Sequence, residues 1–163
     1  MLRSILFRIS GRLPCRIISV SSRPYLERYY LFTLFGVRVY LHRFVGSDPD
    51  RELHDHPWPW AISLIVAGWY YEQTRAGTTV VRWFNALTGD TFHRVILPRD
   101  HGVHECWTIF VHRAADVKPW GFLRDKGQLG VVFTPFSYPT GVKQSEWWKH
   151  APRGRDELRR MPR

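Results

Sequence analysis

The segment Arg51-Glu-Leu-His54-Asp-His56-Pro-Trp-Pro-Trp60 sets two imidazoles two residues apart. On a β-strand, side chains at i and i+2 share a face, so His54 and His56 can aim at one point. Neutral imidazole is the commonest protein ligand for Zn, Fe, Ni and Cu, so the pair is half of a metal site. The remaining ligands must come from elsewhere in the chain. His93 follows a Gly89-Asp90 turn that can carry it across a small barrel. His101 and His104 flank the turn Pro98-Arg-Asp-His-Gly102 and compete with it. His42, twelve residues before His54, reads as a core residue or as a support behind the ligands.

The elements that must position these side chains are strands. Tyr29–Phe35 and Val37–Val45 read as two β segments around a tight turn at Gly36. Gly46-Ser-Asp-Pro-Asp50 is a loop by composition, and Pro57 and Pro59 break the chain directly after the histidines. Further β signals cover Ala61–Val66, Trp69–Thr74, Thr78–Phe84, His93–Leu97, Glu105–His112, Val117–Leu123 and Leu129–Phe133. Short strands divided by Gly, Pro and Asp predict an antiparallel sandwich or barrel. The tail after Gln144 predicts a short helix around Asp156–Arg160 and mobility otherwise.

At 163 residues the chain is long enough for one domain with a real core, and aromatics make up 15% of it. The longest apolar run, Ala61 to Gly68, is too short to span a membrane. Two cysteines, Cys15 and Cys106, exclude a disulfide framework, so a reducing cytoplasm is the expected compartment. The net charge of +10 raises nucleic-acid contact as a second class of function. That charge sits mostly at the ends. Residues 1–26 carry five arginines and no acid, and Lys149 to Arg163 adds six basic residues against two acids. Leu2, Ile5, Leu6, Ile9 and Leu13 recur at helical spacing on this acid-free background, as a transit peptide would. The expectation here is a basic amphipathic arm or a first strand. The domain reading is an N-terminal arm at 1–24, a barrel at 25–143 and a basic tail at 144–163.

With His93 in place the chain resembles a cupin. The first motif of that family runs G-x5-H-x-H-x3–4-E-x6-G. His54-Asp-His56, Ala61 and Gly68 keep its register from the histidines onward, while the opening glycine is displaced to Gly46. His93 after Gly89 matches the histidine of the second motif, without the usual Pro-x-Gly ahead of it. More locally, Tyr25–Tyr30, Leu41–Phe44, Asp50–Trp58, Ser63–Glu72, His93–Val95, Trp107-Thr108 and Trp120–Phe122 are similar to small bacterial and phage cupin-like proteins. The resemblance implies an all-β, single-domain jelly-roll (double-stranded β-helix) barrel with short basic extensions. It also implies a divalent transition metal (Fe, Zn, Ni or Mn) on His54, His56 and His93, a small-molecule ligand, and pairing of two barrels as a homodimer. Ala61 stands where the family places a glutamate ligand, so the implied site has three histidines and no carboxylate. Substrate is not implied.

Glu72 is the nearest replacement for the missing acid, because Gly68, Tyr70 and Glu72 alternate onto one face. It is a candidate ligand or acid/base group. Arg51, with Arg82 and Arg94, is a candidate anchor for a substrate carboxylate. Tyr70, Trp58 and Trp60 line the barrel mouth or its core, and Asp55 reads as an outward cap for the following turn. Three functional classes follow. One is a metalloenzyme, either dioxygenase-like or a metal-assisted isomerase or hydrolase. The others are a non-catalytic ligand- or metal-binding cupin and a basic protein that contacts nucleic acid.

Overall fold

Alternating apolar and polar residues from Arg23 onward fold into antiparallel strands, in a computed structural model that describes residues 1–48, 52–137 and 146–162. The first sheet holds β1 (Cys15–Val20), β2 (Arg23–Leu34), β3 (Val37–Phe44), β5 (Trp60–Ala67), β8 (Phe84–Thr88) and β10 (Cys106–Arg113), in the order β1-β2-β3-β10-β5-β8. The second holds β4 (Leu53–His54), β6 (Tyr70–Thr74), β7 (Gly77–Val81), β9 (His93–Ile96), β11 (Gly121–Asp125) and β12 (Val131–Pro135), in the order β12-β11-β4-β9-β6-β7. This is the expected jelly roll. Strand β8 was not foreseen, and β2 begins six residues before the aromatic run that marked it.

The two faces of the first sheet do different work. Leu26, Phe44 and Cys106 point between the sheets, where they meet Tyr70, Val81, Val95 and Leu97 from the second sheet and the loops. Tyr29, Leu41 and Trp107 point outward and are roofed by Leu6 and Phe7 of helix α1 (Leu2–Ser10). The helical spacing of the first residues is thus satisfied, and the same arm also supplies β1. Trp107 is fully buried and stacks on Tyr29 at 6.3 Å. A ring of that size removes about 150–250 Å² from water, roughly 4–6 kcal/mol of favourable transfer. Cys15 and Cys106 lie in different clusters as free thiols, each pushed up to about 12 chiefly by burial.

The tail departs from expectation. Its helical turn is a short 3-10 turn at Gly154–Asp156, and the chain beside it is docked rather than loose. Cys15 N–H donates to the Pro152 carbonyl at 2.8 Å and Gly154 N–H to the Leu13 carbonyl at 3.0 Å. A Cβ at Gly154 would stand 2.5 Å from the Ser10 carbonyl oxygen, so only glycine admits this approach. Arg159 donates to the Phe7 carbonyl and Ser10 Oγ and lies 3.9 Å over the Phe7 ring. Part of the terminal positive charge is therefore spent on internal acceptors. No helix among the described residues is long and apolar enough to cross a membrane.

Candidate metal centre

The site begins with register. His54, on the two-residue strand β4, pairs directly with His93 on β9 and, on its other side, with Phe122 on β11. Directly opposed side chains on antiparallel strands approach closely, so two distant histidines meet across one ladder. His56 joins them two residues later. The three ring centroids stand 5.0, 5.0 and 5.1 Å apart, and one ring nitrogen from each falls within 4.8 Å of the others.

Backbone contacts lock the H-x-H segment. His56 N–H donates to the Gly89 carbonyl, and a Cβ on Gly89 would lie 2.3 Å from the Trp58 carbonyl oxygen. The turn ahead of His93 must therefore carry glycine to let the histidine loop pass. Asp55 is not an outward cap. It is 1% exposed, accepts from Gly121 N–H at 2.7 Å and pairs with Lys118 at 2.6 Å. The alternation that turns it away from the imidazoles turns it into the neighbouring strand, where it clips β4 to β11.

His93 Nδ1 lies 2.8 Å from Glu72 Oε1, on β6. A carboxylate only accepts, so Nδ1 carries the proton and Nε2 presents a lone pair. That Nε2 lies 2.9 Å from His56 Nε2. Metal–nitrogen bonds of about 2.0–2.1 Å place cis ligands about 3–3.4 Å apart, so this spacing suits two ligands on one ion. Burial, then the charges of His54, His93, Arg28 and His112, holds His56 well below the ordinary histidine range and so in its neutral, ligating form. Asn85 Nδ2, on β8, donates to the same Glu72 oxygen at 2.5 Å and fixes the carboxylate from the opposite sheet.

Other predicted residues fall elsewhere. Ala61 is buried with Tyr40, Phe110 and Trp147. His101 is exposed beside Asp100, and His104 lines a cavity of about 420 Å³ with Arg43, Arg99 and Arg160. Arg82 stacks over Trp69, and Arg94 donates to Gln73. Arg51 lies outside the described residues. Trp58 and Tyr70 are interior, whereas Trp60 points outward. Sequence reasoning missed Asn85, because β8 was unrecognised, and it missed His112, whereas His42 is buried as its core reading expects.

His112 stacks between Tyr40 and Trp58, at 5.7 and 4.3 Å, and donates from Nδ1 to the Arg113 carbonyl. Burial lowers its pKa to about 3, and lowers His42 in the same direction. The unfolded chain takes up protons that these rings refuse, so stability must fall as pH drops from about 6.5 toward 3. Each such ring removes roughly 1.4 kcal/mol per pH unit through that window. A His112→Phe variant should therefore lose stability less steeply than the parent between pH 6 and 4.5, as read by denaturant midpoints; equal slopes would contradict this.

No protein-family model matches the sequence, and no curated protein matches it. Solved structures do. The chain is similar to a cupin-like protein from Thermotoga maritima MSB8, at 16% identity and TM-score 0.51, over 68% of this chain and 85% of that one. It is similar to a cupin 2 conserved barrel domain protein from Rhodopseudomonas palustris, at 13% identity and TM-score 0.52, over 65% and 74%. Fe(II) HppE follows at 10% identity and TM-score 0.51, over 61% of this chain and 56% of HppE, so the chain spans little more than half of that protein. At such identities the likeness is one of fold.

Proposed function

The chain is a cupin by fold, and from that premise we propose that His54, His56 and His93 hold a divalent transition metal at which a small molecule binds and reacts. The supporting observation is the convergence of three imidazoles within 4.8 Å, one of them backed by a carboxylate. The donor set suits Fe(II), Zn(II), Ni(II) or Mn(II), because neutral nitrogen ligands serve all of these ions. Three protein ligands leave positions open for water or substrate, and a metal there would supply Lewis-acid or redox chemistry of the oxygenase, isomerase or hydrolase type.

The residues around the centre define what the protein itself contributes. Glu72 holds the His93 proton on Nδ1 and keeps Nε2 free. His54 faces Trp120 and Phe122 at 6.4 and 5.9 Å, and Trp120 stacks on Phe136, so one side of the centre is an aromatic wall. Trp58 seals the other side by stacking on His56 at 4.4 Å.

Protein purified without chelator should carry about one equivalent of a first-row metal per chain. Removing it should lower the melting temperature, since an ion at 1,000 times its Kd contributes about 4 kcal/mol. A chain that neither holds nor takes up metal refutes the reading.

A further inference from the structure

We infer that Arg28 anchors the acidic group of a small organic oxyanion bound between the sheets, an inference that rests on the reading of the three-histidine centre as the place where the small molecule binds. Arg28 lies on β2 directly across from His42 on β3, and so shares its face, the one between the sheets. Its Nε donates to His42 Nε2 at 3.0 Å, and its guanidinium lies 5.2 Å over the Tyr40 ring. These contacts aim the group without neutralising it.

Several other cations, one on the roofed outer face and two partly exposed, have acids. Arg43 has Glu27 and Glu105, Lys118 has Asp55 and Asp90, and Arg124 has Glu52. Among the described residues Arg28 has none, and its two terminal nitrogens meet no acceptor. A half-buried cation without a counter-charge is costly, and a planar fork with two free N–H edges matches a carboxylate or phosphonate.

Two further observations place the site. Arg28 lies over Tyr40, Tyr40 stacks on His112, His112 packs on Trp58 and Trp58 stacks on His56, a run of ring contacts that sets Arg28 facing the same interior as the three-histidine centre. On the same face, Thr108 pairs across from His42, and its wholly buried Oγ1 has no partner. A ligand oxyanion on Arg28, with its other end toward His56, satisfies the cation and brings polar atoms to that hydroxyl.

The test uses 3-hydroxypropanoate and methylphosphonate as probes, with 3-hydroxypropanamide as the neutral control, titrated calorimetrically into metal-loaded and metal-free protein. Wild type should bind at least one acid once per chain, with the amide at least 10-fold weaker. Arg28→Gln should weaken acid binding about 10- to 100-fold, the range for hydrogen bonds to a charged group, with unchanged metal content and melting temperature. Arg28→Lys, which keeps the charge without the fork, should fall between. Acid binding by a chain that takes up no metal, lost in Arg28→Gln, upholds the anchor while the metal reading fails. A chain that takes metal yet binds neither acid, or binds them equally well as Arg28→Gln, overturns the anchor and leaves the metal reading standing.

Discussion

Replacing Arg43 with methionine is expected to destabilise the fold by about 3–5 kcal/mol, the usual cost of stripping one partner from a buried ion cluster. Arg43 is 1% exposed, on the roofed outer face of β3. Its Nε donates to Glu105 Oε2 at 2.7 Å, Nη2 donates to the same oxygen, and Nη1 reaches both oxygens of Glu27 at 3.1 and 3.2 Å. Without the guanidinium, two carboxylates face each other under helix α1, with Arg3 at 3.6 Å from Glu105. For a chain of this size each kcal/mol moves the melting temperature roughly 2–4 °C, so a drop of about 10 °C is expected.

The same substitution should release the tail. Arg43 Nη1 also donates to the Arg160 carbonyl, and Arg160 N–H donates to Glu27 Oε1. Trypsin should then cut at Arg153, Arg155 or Arg159 far faster in the variant than in the parent. A triple variant, Arg43→Met with Glu27→Gln and Glu105→Gln, removes the stranded charges and should recover most of the lost stability. A single variant that melts within about 2 °C of wild type would show the cluster to be marginal.

Such a cluster was not legible in the sequence, and the reason is geometric. Glu27 and Arg43 come from β2 and β3 and Glu105 directly precedes β10, so in the sequence each sits in ordinary strand alternation, where a charge reads as a solvent-facing residue. Only the roof of α1 and the docked tail makes that face interior. The three clustered histidines were legible for the opposite reason. His54 and His56 are local, and His93 follows a glycine that the crossing of two loops requires, so the signal survives in linear spacing. Glu72 was found by period-2 alternation alone, which gave its face but not its partner. Arg28 was not legible either: it lies ahead of Tyr29, where the aromatic run that marked β2 begins, and nothing in the sequence reveals its face or that no acid among the described residues meets it.

Glu72→Gln should weaken metal binding by about 10- to 100-fold, the usual effect of removing the group behind a ligating histidine. The carboxylate sits at Nδ1 of His93, on the far side of the ring from the Nε2 that faces His56, so it orients the ligand rather than joining it. Glutamine keeps the shape and can still accept from Nδ1, but it lacks the charge that makes His93 a stronger donor to an ion. Its amide must also keep its oxygen turned to both His93 and Asn85. Competition against a chromophoric chelator for Zn(II) or Co(II) gives the affinity directly. Asn85→Ala, which frees the carboxylate without removing it, should have a smaller effect in the same direction. If Glu72→Gln binds metal as tightly as wild type but loses turnover, the residue acts on protons of the bound molecule instead. If neither changes, the hydrogen bond to His93 contributes only to packing between β6 and β9.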